Sequence, residues 1–122
     1  MIAIWVSLAG GVGAVARFVL DGHIRSRDHR RYTLPWGTTL INASGSLVLG
    51  VLTGLVLYHH TSASLKLILG TGFCGGYTTF STASFETVRL FEERRVSAAY
   101  WHLVTNVSLT LSLAALGLWI AH

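Results

Sequence analysis

The fold class predicted by this sequence is an all-α integral membrane protein, four transmembrane helices with the third broken mid-membrane. Three observations predict it. Of 122 residues, 52% are hydrophobic and only 11% charged, against roughly 25% charged in a typical soluble domain. Four apolar segments, near residues 2–20, 37–58, 67–91 and 98–121, each come close to the about 20 residues that cross a hydrocarbon core. Within the third lies the stretch Gly72–Glu86, GFCGGYTTFSTASFE, which crowds glycine, threonine and serine into an apolar run. A helix of that composition breaks, and broken backbone at membrane depth is tolerated only where protein buries it or where it lines an ion path. The whole chain, 1–122, reads as one membrane domain.

The first span is apolar from its first residues and has no basic region ahead of them, so it reads as a retained helix and not a cleaved signal. Gly10, Gly11, Gly13 and Ala14 crowd one of its turns, and Arg17 is its one charge. Pro35 and Gly37 mark the start of the second span. There Thr38, Asn42 and Ser46 recur at i, i+4 and i+8 and so share one helix face. Gly50 and Gly54 form a small-xxx-small pair on the same span, a pattern that lets helices approach closely. Such pairs serve packing within the chain or association between chains, and the polar content of the spans favours a dimer. Residues 63–66 read as a short turn into the third span, which carries Glu86 and Arg89. The fourth has two polar stripes, His102, Asn106, Thr110 and Thr105, Ser108, Ser112. A lone Ser or Thr in a membrane helix commonly bonds back to its own helix. Asn42 has no such outlet and needs a partner helix, a water or an ion. Cys74, the only cysteine, reads as a small buried hydrophobe.

The formal charge of +4 does not indicate nucleic-acid binding, because the arginines lie in short loops without an aromatic platform. Arg25, Arg27, Arg30 and Arg31 follow the first span and Arg94 and Arg95 the third, whereas Lys66 is alone on the opposite side. By the positive-inside rule those loops face the cytoplasm and both termini face out.

Three segments, GGVGAVARF (Gly10–Phe18), GTTLINASGSLVLG (Gly37–Gly50) and Gly72–Glu86, resemble in sequence and order the Fluc family of small fluoride channels, also called CrcB proteins. The resemblance covers nearly the whole chain. It implies an antiparallel, dual-topology-type dimer with two pores and a structural sodium ion at its centre. It also implies passive export of fluoride from the cytoplasm through the cell membrane of a prokaryote. Sodium would be held by the backbone carbonyls of Gly75 and Thr78 from each subunit. Asn42 matches a pore asparagine, Phe80 the first of two pore phenylalanines, and Ser81 and Thr82 neighbouring hydroxyls; Thr110 falls where the family has a pore serine. Arg17 and Glu86 match the family's arginine and glutamate, to which structural or vestibule roles are assigned. Ala83 stands where the second phenylalanine is usual, and Asn106 where an aromatic is expected.

The partner is either a second copy or a paralogous subunit, and these departures, with the loop arginines, favour a paralogue inserted the other way. A non-conducting subunit of such a heterodimer is the alternative reading. A four-helix multidrug-type transporter requires an acidic residue in its first span, where this chain offers Arg17. An enzyme is not expected: His102 is alone in its span, and His59 and His60 have no cysteine or acid beside them to complete a metal site.

Overall fold

The computed structural model describes residues 1–27 and 35–122. Arg30 and Arg31, and the side chains of Arg25 and Arg27, lie outside the described residues, so the loop-one half of the charge asymmetry has no structural counterpart here. Every regular element among the described residues is helical: α1 (Ile2–Arg27), α2 (Trp36–His59), α3 (Ala63–Leu65), a π-helical stretch (Lys66–Cys74), α4 (Gly75–Tyr77), α5 (Phe80–Glu92) and α6 (Val96–Ile120).

Three of these helices are long and apolar enough to cross a membrane, over Ile2–Ile24, Trp36–His59 and Val96–Ile120. The third apolar segment of the sequence is not one continuous helix. It splits at Thr78 and Thr79, both in extended conformation (φ −81°, ψ 158° and φ −148°, ψ 119°), which leaves α4 and α5 on either side. The break lies within Gly72–Glu86, just after the glycines: Gly75 is still helical and Thr78 is not. The expected turn at 63–66 is shorter than the sequence suggests, because residues 63–65 already form the helical turn that leads into the π-helical stretch.

The ends of the helices follow from local chemistry. Pro35, with φ fixed at −72°, precedes α2. α2 closes on His60 in the left-handed region (φ 52°), whose N–H donates to the Leu55 carbonyl. Thr79 caps α5, its hydroxyl accepting the Thr82 N–H at 3.1 Å. Arg94, also left-handed (φ 60°), turns the chain into α6, and the next amide, Arg95 N–H, reaches the Leu90 carbonyl at 2.9 Å. α1 runs past the apolar limit at Leu20 to Arg27; no proline interrupts that interval.

α2 is the most enclosed of the three long helices, with 39% of its apolar window buried against 6% for α1 and for α6. It packs along α6, while α1 packs on the π-helical stretch and α4, and α5 lies on α6. Glycine permits both main contacts. A Cβ on Gly76 would run into the Gly10 carbonyl, and one on Gly117 into the Leu47 carbonyl. Gly50 likewise faces the Ala114 backbone and Gly54 the Ala121 side chain. Gly50 and Gly54 on the second span, and Gly10 and Gly13 on the first, are therefore used inside the chain, whereas a Cβ on Gly11 would meet nothing within 4 Å.

The outer faces are apolar, with Phe18, Leu111 and Trp119 exposed, whereas Thr38, Thr39, Asn42, Thr79, Glu86 and His102 are buried. A polar interior under an apolar exterior is an arrangement suited to lipid.

Candidate anion path

The break in the third segment leaves backbone groups without helical partners, and α2 supplies them. An unbroken helix would direct the Thr79 N–H to the Gly75 carbonyl. Here that N–H donates to Asn42 Oδ1 at 2.7 Å, and Asn42 Nδ2 donates to the Thr79 carbonyl at 2.9 Å. One carboxamide thus replaces both halves of a backbone pair. Asn42 Nδ2 also reaches Asn106 Oδ1 on α6 at 3.4 Å, at the weak end of hydrogen-bond geometry.

The same exchange frees carbonyls. With the Thr79 amide committed to Asn42, and the Thr82 amide to the Thr79 hydroxyl, Gly75 and Thr78 lose the amides that would have closed the helical ladder onto them. These are the two carbonyls that the sequence resemblance assigns to sodium. A hard cation takes oxygen ligands, and unwound backbone provides them without a charged side chain; the donor set fits such an ion.

A groove of about 680 Å³ opens between α2, the π-helical stretch, α5 and α6. Asn42, Gly75, Thr78, Phe80, Asn106 and Thr110 line it. Thr110 sends its hydroxyl back to the Val107 carbonyl at 3.0 Å, the local bond anticipated for such residues. A second cavity, about 200 Å³, lies between α1, α2 and α5 and is lined by Arg17, Asp21, Thr38, Thr79 and Thr82. Thr79 borders both, so the break stands between the two spaces. Ser81 is exposed and lies 3.3 Å from the Thr79 hydroxyl. Phe80 projects from the chain with 88% of its surface exposed. Glu86 borders neither cavity: it is buried, accepting from Thr38 Oγ1 at 2.9 Å.

Comparison with known proteins bears on this arrangement. The family described as CrcB-like protein, Camphor Resistance (CrcB), matches residues 4–118. The chain belongs to the CrcB-like family. It is similar to the protein named fluoride-specific ion channel FluC 1 of Leifsonia xyli subsp. xyli, 52% identical over 98% of this chain and 86% of that protein. The fluoride-specific ion channel FluC 2 of Mycobacterium tuberculosis is 44% identical over 98% of this chain and 92% of its own. The fluoride-specific ion channel FluC of Pyrococcus abyssi is 40% identical over 90% and 87%.

Within this CrcB-like chain the structure groups Asn42, Phe80, Thr110, Gly75 and Thr78 around one groove, Arg17 and Thr82 around the smaller cavity, and leaves Ser81 on the rim. Three residues take part that sequence reasoning did not pair. Asn106 meets Asn42. His102, read in the sequence as isolated, has Nε2 3.5 Å from Glu86 Oε2 with its side chain 1% exposed. Thr38 ties α2 to Glu86. A signal for all three was present in the matching four-residue spacing of Thr38, Asn42, Ser46 and His102, Asn106, Thr110. Which helix face met which was not. Ala83 is buried at 6% exposure and lines the groove.

Proposed function

We propose that this CrcB-like chain is a fluoride channel subunit, passively exporting fluoride from the cytoplasm across a prokaryotic cell membrane, and not an enzyme. The observation that carries the reading is the Asn42–Thr79 pairing at a helix break inside an apolar exterior, in a chain whose relatives bear the name fluoride-specific ion channel. Fluoride is strongly hydrated, so a path must replace its water with donors. The hydroxyls of Ser81 and Thr82 and the carboxamide of Asn42 supply them, with the Phe80 ring edge, which carries partial positive charge, as an added surface. Of the contacts made by Asn42, the 3.4 Å bond to Asn106 is the one an anion displaces at least cost. Arg17 beside Thr38 and Thr82 attracts anions to the smaller cavity.

The working unit in this proposal is an antiparallel dimer with two pores, four membrane crossings per chain, and sodium held between the Gly75 and Thr78 carbonyls of both subunits. Sodium supplies a fixed positive charge near the anion path. The exposure of Phe80 and Phe85 supports a partner covering that face. Names numbered FluC 1 and FluC 2 among the relatives support a paralogous partner as well as a second copy.

A second reading, a poorly conducting subunit active only beside a paralogue, is favoured by Ala83, where the family usually has its second pore phenylalanine. Electrode-detected efflux of potassium fluoride from sealed vesicles, with valinomycin to balance charge, tests both. Efflux from vesicles holding this chain alone, with chloride retained, supports the first reading. Efflux only on addition of a relative supports the second. No efflux in either case overturns the channel.

A further inference from the structure

The hydroxyls of Thr79, Ser81 and Thr82 meet at the break, with Thr79 between the other two. The Thr79 backbone is clamped by Asn42, at 2.7 Å on its N–H and 2.9 Å on its carbonyl, and its β-branched side chain has few positions open to it. Thr79 Oγ1 accepts the Thr82 N–H at 3.1 Å and donates to Thr82 Oγ1, also at 3.1 Å. Ser81 Oγ lies 3.3 Å away. A hydroxyl has one hydrogen and two lone pairs. With that hydrogen committed to Thr82, the Ser81 hydroxyl is the donor in the third contact, and Thr79 Oγ1 is saturated.

The consequence falls on Thr82. A hydroxyl on a membrane helix commonly donates to a carbonyl one turn earlier, as Thr53, Thr87 and Thr110 do here at 2.8, 2.8 and 3.0 Å. Thr82 is in the first turn of α5, and Thr78, four residues before it, is extended and beyond the break. Its Oγ1 receives the Thr79 hydrogen, and its own hydrogen has no acceptor among the described residues. Thr82 lines the small cavity with Arg17, and Thr79 lines both that cavity and the groove.

We propose that Thr79 is a positioning residue for the anion path: its hydroxyl donates to Thr82 and so turns the Thr82 hydrogen into the small cavity, toward an anion. The donors then run in one direction, from Ser81 to Thr79 to Thr82, and hydrogen bonds in such a chain polarise one another. The terminal hydrogen is therefore a stronger donor than that of a lone threonine, and it is aimed before the anion arrives.

This inference rests on the fluoride-channel reading, and efflux from the wild type is the control that separates the two. Fluoride efflux from vesicles, in whichever pairing conducts, is compared for the wild type, Thr79→Ser, Thr79→Val, Thr82→Val and the double variant. Thr79→Val and Thr82→Val are each expected to lower flux about tenfold, the effect of one donor lost or misdirected. Thr79→Ser, which keeps the hydroxyl, is expected to recover most of the flux lost in Thr79→Val. In the Thr82→Val background, Thr79→Val is expected to lower flux no further. That cycle separates positioning from structure, because Thr79→Val also removes the cap of α5, and a loss of that origin persists when Thr82 has no hydroxyl. Equal losses in the two backgrounds, wild-type flux in Thr79→Val, or no recovery in Thr79→Ser overturns the positioning role. If Thr79→Val does not assemble, Thr79→Cys, whose thiol is a weak donor, takes its place in the same cycle. No efflux from the wild type, alone or beside a relative, overturns the channel reading and this role with it.

Discussion

Asn42 holds the broken backbone at Thr79 by both of its polar groups, accepting from its N–H at 2.7 Å and donating to its carbonyl at 2.9 Å. Asparagine alone among side chains of this length presents a donor and an acceptor in the spacing of a peptide unit. Asn42→Asp removes the donor and sets a carboxylate against a carbonyl. We expect fluoride efflux to fall at least about tenfold and stability to fall by about 1–3 kcal/mol for the Thr79 carbonyl left unpaired. Efflux assays and thermal unfolding in detergent measure the two effects. Unchanged efflux in a properly assembled variant removes Asn42 from the path.

Two neighbouring glycines separate packing within the chain from packing between chains. Gly76 has no room for a Cβ against the Gly10 backbone, whereas a Cβ on Gly75 meets nothing within 4 Å. Gly76→Ala is expected to destabilise the chain by about 1–3 kcal/mol through overpacking. Gly75→Ala is expected to leave the chain folded and to lower dimer content and flux, because in the proposed dimer the open space beside Gly75 is taken by the second subunit. Size-exclusion chromatography of both variants checks this, and a fully dimeric, fully active Gly75→Ala counts against the proposed central contact.

The proposed sodium site, built from the Gly75 and Thr78 carbonyls, is tested by exchanging the ion. Replacing sodium with a bulky organic cation during purification and assay is expected to abolish most fluoride efflux and to lower the unfolding temperature, both restored by adding sodium back. Equal efflux in sodium-free medium argues against a structural ion.

Orientation gives a further test. With Arg94 and Arg95 after α5 and four arginines after the first apolar segment, against Lys66 opposite, the chain is expected to insert mainly with both termini outside. Topology reporters fused after His122 read this directly. Equal populations in both orientations favour pairing with itself over pairing with an oppositely inserted relative.

Much of this arrangement was legible in the sequence, for physical reasons that also mark where legibility stopped. Apolar length located α1, α2 and α6, and the four-residue spacing of Thr38, Asn42 and Ser46 located the interior face of α2. Composition signalled a break within Gly72–Glu86, and the chain unwinds inside that stretch, at Thr78 and Thr79. A threonine can cap the next helix, while Gly72 and Gly76 are needed for close approach to α1. The pairing of Glu86 with His102 was hidden, since sixteen positions of sequence separate them and only the packing of α5 on α6 closes the distance. Periodicity gives the face of a helix and is silent on its neighbour.

The left-handed residues that end α2 and α5 offer a route to a sturdier protein for biophysical work. His60 and Arg94 adopt φ values of 52° and 60°, a conformation that disfavours a side chain by roughly 1–2 kcal/mol and glycine scarcely at all. His60→Gly should therefore raise the melting temperature without touching any residue of either cavity. The same exchange at Arg94 would deliver a similar gain while deleting one of the charges on which the expected orientation rests, so the two loops are not equivalent targets for stabilisation.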